Sequence, residues 1–125
     1  MKSFLIIGLI LGLVACDGES GPTACTEEAR SSVTLKIIDV DTNETLDEAT
    51  IVWSVDGGAK TTTACTNDDA FVDDCESFPI TYEVDGEFEI TVSATGYADQ
   101  TKNITVVSDE CHVIGKSLTF KMNTI

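Results

Sequence analysis

Between Gly86 and Tyr97 the chain reads G-E-F-E-I-T-V-S-A-T-G-Y, and this stretch limits the possible folds most sharply. Phe88, Ile90, Val92 and Ala94 alternate with Glu87, Glu89, Thr91 and Ser93. Successive strand residues point to opposite faces, so the alternation predicts a strand with one face in a core and the other in water. Asp85-Gly86 ahead of it predicts a two-residue hairpin turn, and Thr95-Gly96 behind it predicts a stop.

The same pattern recurs along the chain. Val33, Leu35 and Ile37 mark a first strand over Val33 to Val40, and Ile51, Trp53 and Val55 mark a second over Ala49 to Val55. Asp56-Gly57-Gly58 turns the chain into a polar third strand, Ala59 to Cys65, whose threonines suit a sheet edge because they bury little. Ile80 to Val84 is predicted as a fourth strand, hairpinned through Asp85-Gly86 to the Gly86–Tyr97 strand. A sixth runs from about Gln100 to Val107, and Leu118, Phe120 and Met122 alternate in a seventh. No segment beyond residue 30 carries a helical period. Seven short strands, each with one wet face, predict an all-β, seven-stranded antiparallel β-sandwich of the immunoglobulin-like class.

The N-terminus is different in kind. Lys2 precedes an apolar run from Phe4 to Ala15, which is too short for the roughly 20 residues that span a bilayer and has the build of a secretory signal. Its end, Leu13-Val14-Ala15-Cys16, resembles the lipobox of bacterial lipoproteins. That resemblance implies cleavage before Cys16, lipid on its sulfur and amine, and anchorage by several acyl chains where one would hold only marginally. The expected divisions are a signal peptide over 1–15, a lipidated N-terminus and spacer over 16–32, and a β-sandwich domain over 33–125. Asp17 resembles the inner-membrane retention signal of some Gram-negative lipoproteins. The location expected is a bacterial cell envelope, with inner and outer membrane both open.

Cleavage would leave six basic residues against 22 acidic ones, a formal charge of −16. A phosphate backbone would be repelled, which excludes nucleic acid as a partner. Electrostatic adhesion to anionic lipid is excluded too, so membrane contact would come through Cys16.

With Cys16 lipidated, Cys25, Cys65, Cys75 and Cys111 remain. An even set in an exported chain reads as two disulfides, for which three connectivities exist. Cys65 and Cys75 sit at the ends of one polar loop, which favours Cys65–Cys75 and leaves Cys25–Cys111. Chain entropy values these at about 2.7 and about 4.6 kcal/mol respectively.

A further resemblance covers residues 31–123. Asp39…Thr42…Thr45-Leu46-x-x-Ala49-Thr50-Ile51-Val52, then Gly86-x-Phe88-x-Ile90-x-Val92-x-Ala94-x-Gly96-Tyr97, looks like the carboxypeptidase regulatory-like domain. The tail Asp109-Glu110-Cys111-His112-Val113 is similar to bacterial lipoproteins that carry such a domain. The resemblance implies a transthyretin-like sandwich; Glu44 stands where the family often has glycine. These motifs are signatures of strand and corner, not of chemistry.

Candidate sites are few. Asp39, Asp41, Asn43 and Asp47 have the opening spacing of a calcium loop, but Glu44 and Thr50 replace the glycine and glutamate that turn and close one, so an acidic hairpin turn is expected. Asp68, Asp69, Asp73, Asp74 and Glu76 lie between or beside Cys65 and Cys75. They are the candidates for a weak calcium site, since calcium takes six to eight oxygens. His112 has no hydroxyl or thiol to serve and is expected to be a partly buried structural residue. Trp53, in phase with Ile51 and Val55, is expected in the core. Tyr97 is expected to pin a corner through its hydroxyl. Asn43-Glu44-Thr45 and Asn103-Ile104-Thr105 match glycosylation sequons, which a bacterial lipoprotein is expected to leave unused.

No cofactor and no catalytic constellation are expected. The reading is a non-catalytic, lipid-anchored interaction or accessory module whose partner is an envelope protein or glycan. The alternative is a calcium- or carbohydrate-binding module using the acidic loop between Cys65 and Cys75.

Overall fold

A computed structural model describes Cys25, residues 27–66 and residues 74–125. Eight strands follow in order: β1 (Val33–Asp39), β2 (Glu48–Val55), β3 (Thr61–Thr66), β4 (Phe78–Pro79), β5 (Gly86–Ser93), β6 (Gln100–Ser108), β7 (Val113–Ile114) and β8 (Lys116–Met122). They form a three-stranded sheet, β4-β1-β8, and a five-stranded sheet, β3-β2-β5-β6-β7. The described residues include no helix.

The alternating residues meet between the sheets. Val33, Leu35 and Ile37 from β1 and Phe120 and Met122 from β8 share one buried cluster with Ile51 of β2, Phe88, Ile90 and Val92 of β5 and Val106 of β6. Glu87 and Glu89 face water, as the alternation requires, and Ala94 packs partly buried against the cluster. At roughly 1.5–3 kcal/mol per fully buried large apolar side chain, this cluster is the main source of stability. Ile38 is out of phase yet only 5% exposed. The chain beyond β1 folds back there, Thr45 bridging to Ile38 and the Leu46 N–H donating to the Ile37 carbonyl at 3.0 Å.

β3 lies at the edge of the larger sheet, as its polar sequence predicts. Three expectations are corrected. The described residues form eight strands, because Val113–Ile114 pairs with the end of β6. The pairing is not wholly antiparallel: β1 and β8 run parallel, in register from Val33↔Lys116 to Asp39↔Met122. A hairpin dictates an antiparallel partner, but the whole five-stranded sheet intervenes between β1 and β8, so no turn sets their direction. The fourth strand is not Ile80–Val84, nor is it hairpinned to β5. β4 is Phe78–Pro79, set against Leu35 and Thr34 of β1 in the other sheet.

Ile80–Val84 instead runs beside the chain entering β1. The Ile80 N–H donates to the Val33 carbonyl (3.0 Å), the Ser32 N–H to the Thr81 carbonyl (2.8 Å) and the Glu83 N–H to the Arg30 carbonyl (3.0 Å). Pro79, which has no N–H, and the left-handed Glu83 (φ 58°) interrupt what would otherwise be a regular ladder. Asp85-Gly86 therefore carries the chain from one sheet to the other. Gly86 (φ 133°) is required there by a close approach: a Cβ would lie 2.7 Å from Asp56 Oδ2 and 2.8 Å from Val55 Cγ1.

Cys25 is joined to Cys111, and Cys65 to Cys75. The second bond ties the two sheets together, since Cys65 is in β3 and the Cys75 carbonyl accepts from Ile37 N–H of β1 at 2.8 Å. The exposed side of β8 is capped by β6. Gln100 Nε2 donates to the Lys121 carbonyl and Lys102 Nζ to the Thr119 carbonyl, each at 2.9 Å. Side-chain donors occupy carbonyls that an added strand would need.

Candidate functional site

Two polar clusters hold the side chains that the sequence singles out. The first lies where β1 ends. Asp39 Oδ1 accepts the Asp41 N–H (2.7 Å) and the Thr42 N–H (3.0 Å), and Oδ2 accepts the Tyr97 hydroxyl at 2.7 Å. The Tyr97 hydroxyl, with help from the Thr42 and Asp41 amides, holds the Asp39 carboxyl below the usual carboxylate range. The same bond pushes the Tyr97 phenol up. Tyr97 thus pins its corner through the hydroxyl, and its backbone is bridged to Thr124 beyond β8.

The Asp39 carboxylate turns back to cap its own turn, and Asn43 supplies the left-handed residue (φ 63°), a conformation asparagine tolerates. That places the turn's special backbone one residue before Glu44. Asp39, Thr42, Glu44, Asp47 and Tyr97 border an open cleft of about 510 Å³. No group of three or more His, Cys, Asp or Glu among the described residues is arranged to hold a metal ion.

The second cluster centres on Glu83. Its Oε2 accepts the Arg30 N–H (3.0 Å), its Oε1 accepts the Val113 N–H (3.0 Å), and His112 Nδ1 lies 2.6 Å from Oε2. The carboxylate accepts, so Nδ1 carries the proton. His112 foremost, then the Val113 and Arg30 amides, holds the Glu83 carboxyl low against the opposing effect of burial. Asp109 shapes the neighbouring loop: its Oδ1 accepts the His112 N–H (2.9 Å) and Cys111 N–H (2.8 Å), and those two bonds lower its carboxyl too. Three stretches distant in sequence (Arg30, Glu83 and the 109–113 loop) are therefore clasped at one point, with Cys25–Cys111 beside it.

His112 is 8% exposed, in keeping with a structural role. Trp53 packs partly buried against the core with its ring 5.9 Å from that of Phe88, and its buried indole Nε1 has no hydrogen-bond partner. Of the acidic loop, Asp74 Oδ1 accepts the Glu76 and Ser77 amides at 3.1 and 3.2 Å, which makes it a turn former. Asp68, Asp69 and Asp73 lie outside the described residues, as do the signal segment 1–15, Cys16 and the spacer to residue 24.

Glu83 and Arg30 escaped the sequence reading. Tyr82-Glu83-Val84 looks like any alternating strand, and the partners of Glu83 lie 29 to 53 positions away. The only local signal is the neighbouring Asp85-Gly86, which marks irregular backbone.

No model of a known protein family matches this chain, and no curated protein matches it.

Proposed function

We propose that this chain is a lipid-anchored protein of a bacterial cell envelope, in which a non-catalytic β-domain serves as an interaction or accessory module. The observation that carries most weight is the covalent fastening of the N-terminal tail: Cys25, nine residues after the lipobox cysteine, is bonded to Cys111. A tail joined to its domain in this way limits the tether to the few residues between Cys16 and Cys25. The titratable side chains of both clusters support the non-catalytic reading. Asp39, Glu83 and Asp109 each accept from two or three donors that hold loops in place, which gives each a structural task.

The domain is of the carboxypeptidase regulatory-like, transthyretin-like kind. That assignment is supported by Phe88, Ile90, Val92, Gly96 and Tyr97, which form the strand and corner carrying the resemblance. Cross-linking in the native envelope, followed by purification in detergent, tests the module reading. One stoichiometric partner supports it; recovery of the protein alone under several detergents counts against it.

A competing reading, a cation- or glycan-binding role, is favoured by the Cys65–Cys75 bond, which holds the ends of the acidic run 5.2 Å apart between Cα atoms. Calorimetry with calcium separates the two. Saturable heat abolished by Asp73→Asn with Asp74→Asn supports the cation site, and no heat removes it.

A further inference from the structure

The two disulfides differ in kind. Cys65 and Cys75 are each 0% exposed and sit in the core between the sheets. Cys25 is exposed and Cys111 partly so, at an open concavity bordered by Glu28, Glu83, Asp109, Glu110 and His112. A thiolate reaches Cys25–Cys111 without disturbing a strand, whereas Cys65–Cys75 is out of reach while the sheets remain packed.

Hydrogen bonds also hold the fold near Cys25–Cys111. From Arg30 onward the entering chain is held by hydrogen bonds: Arg30 N–H and carbonyl to Glu83, Ser32 N–H to Thr81, and Lys116 N–H to the Ser32 carbonyl at 3.0 Å. On the other side, Asp109 caps the loop that carries Cys111, and Glu83 takes the Val113 N–H and the His112 ring. Opening the bond would free Cys25 while Arg30, five residues on, stays pinned to Glu83, so Cys25 remains tethered near Cys111.

We propose that Cys25–Cys111 is a thiol–disulfide exchange site for a dithiol without negative charge, while Cys65–Cys75 is permanent. The attacking thiolate bonds to the exposed Cys25 sulfur, and the S–S electron pair leaves on Cys111, which takes a proton. The second thiol of the reductant then attacks the mixed disulfide and releases Cys25 as a thiolate that is protonated in turn. The dithiol becomes a disulfide, having delivered two electrons and two protons. The charge requirement comes from the surroundings. Glu27, Glu28, Asp109 and Glu110 flank the site, Arg30 is paired with Glu28 at 2.8 Å, and His112 is paired with Glu83. Every attacking thiolate is itself anionic, so a reductant bearing further negative charge is repelled most there and one bearing a compensating cation least. This site stands or falls independently of the lipid anchor.

The test uses the oxidised full chain carrying Cys16→Ser, so that no other thiol reacts. Dithiothreitol, cysteamine and glutathione are applied separately, free thiols are alkylated, and the labelled cysteines are mapped by mass spectrometry alongside far-ultraviolet circular dichroism. The expected result is joint labelling of Cys25 and Cys111 at least roughly 100-fold faster than Cys65 and Cys75, with the β signal unchanged. Cysteamine should outpace glutathione by roughly tenfold at low salt, and the gap should shrink at high salt. Labelling of Cys65 and Cys75 at a comparable rate, or loss of the β signal as Cys25–Cys111 opens, would overturn the proposal. Equal rates for the two monothiols overturn the charge requirement. A Cys25→Ser, Cys111→Ser chain gives a second reading: it should retain the β signal and the Cys65–Cys75 bond, and failure to fold contradicts a separable site.

Discussion

Glu83 and His112, 29 positions apart, meet at 2.6 Å, and the same carboxylate also takes the amides of Arg30 and Val113. One side chain thereby closes the sandwich where the chain enters it. Glu83→Gln keeps the shape and removes the charge, and is expected to lower the melting temperature by roughly 3–8 °C at neutral pH.

The pH dependence of that loss is a sharper check. Glu83, Asp39 and Asp109 are all held below their ordinary pKa values, so each binds its proton more weakly folded than unfolded. Their stabilisation is complete above the unfolded carboxylate range and disappears as the pH falls through the lower folded values. Relief of the chain's strong negative charge acts in the opposite sense on acidification, so the informative quantity is a difference. The gap between wild type and Glu83→Gln should be present at neutral pH and narrow below about pH 4. A gap independent of pH down to acid would refute the charged role of Glu83.

Tyr97→Phe removes the hydroxyl donated to Asp39 and should lower the melting temperature by roughly 3–6 °C. The Tyr97 phenol is raised above 10.0, so its contribution is full below that value and lost as the pH rises past it. Thermal melts of both forms should therefore converge in strong alkali. An unchanged melting temperature at pH 7 would remove Tyr97 from the corner.

At Gly86 a methyl group would meet Asp56 and Val55 at under 3 Å on a backbone that disfavours any side chain, whereas at Gly57 (φ 73°) nothing lies within 4 Å. Gly86→Ala is expected to cost on the order of 3 kcal/mol and Gly57→Ala only about 1 kcal/mol. Chemical denaturation that ranks the two equally would contradict the close approach.

Much of this architecture could be read from alternation alone. β1, β2, β5, β6 and β8 fall within a residue or two of their predicted spans, because each buries one face and wets the other. Alternation carries no direction, however, so the parallel pairing of β1 with β8 had no signal. Ile80, Tyr82 and Val84 alternate as well as any strand, yet Tyr82 is 50% exposed, because Pro79 and left-handed Glu83 divert that stretch. The corner tyrosine was legible in Gly96-Tyr97; its acceptor, 58 positions upstream, was not. Contacts closed by the tertiary fold leave no mark in local sequence.

Lys102 bridges the sheets: its ammonium caps the Thr119 carbonyl and lies 5.5 Å from the centre of the Phe120 ring. Lys102→Ala together with Gln100→Ala uncovers the β8 edge, and such an edge invites strand addition. Light scattering during mild heating should show aggregation several degrees below that of wild type; identical onsets would mean that the side-chain caps do not protect the edge.

The central claim is the lipid anchor. Intact-mass and N-terminal peptide analysis of the protein extracted from its native membranes addresses it most directly. The expected result is a chain that begins at Cys16, carries thioether-linked diacylglycerol on that sulfur, and moves to the soluble fraction in a Cys16→Ser strain. A mature N-terminus at any other residue, or an unmodified Cys16 on a chain recovered from the soluble fraction, would contradict it.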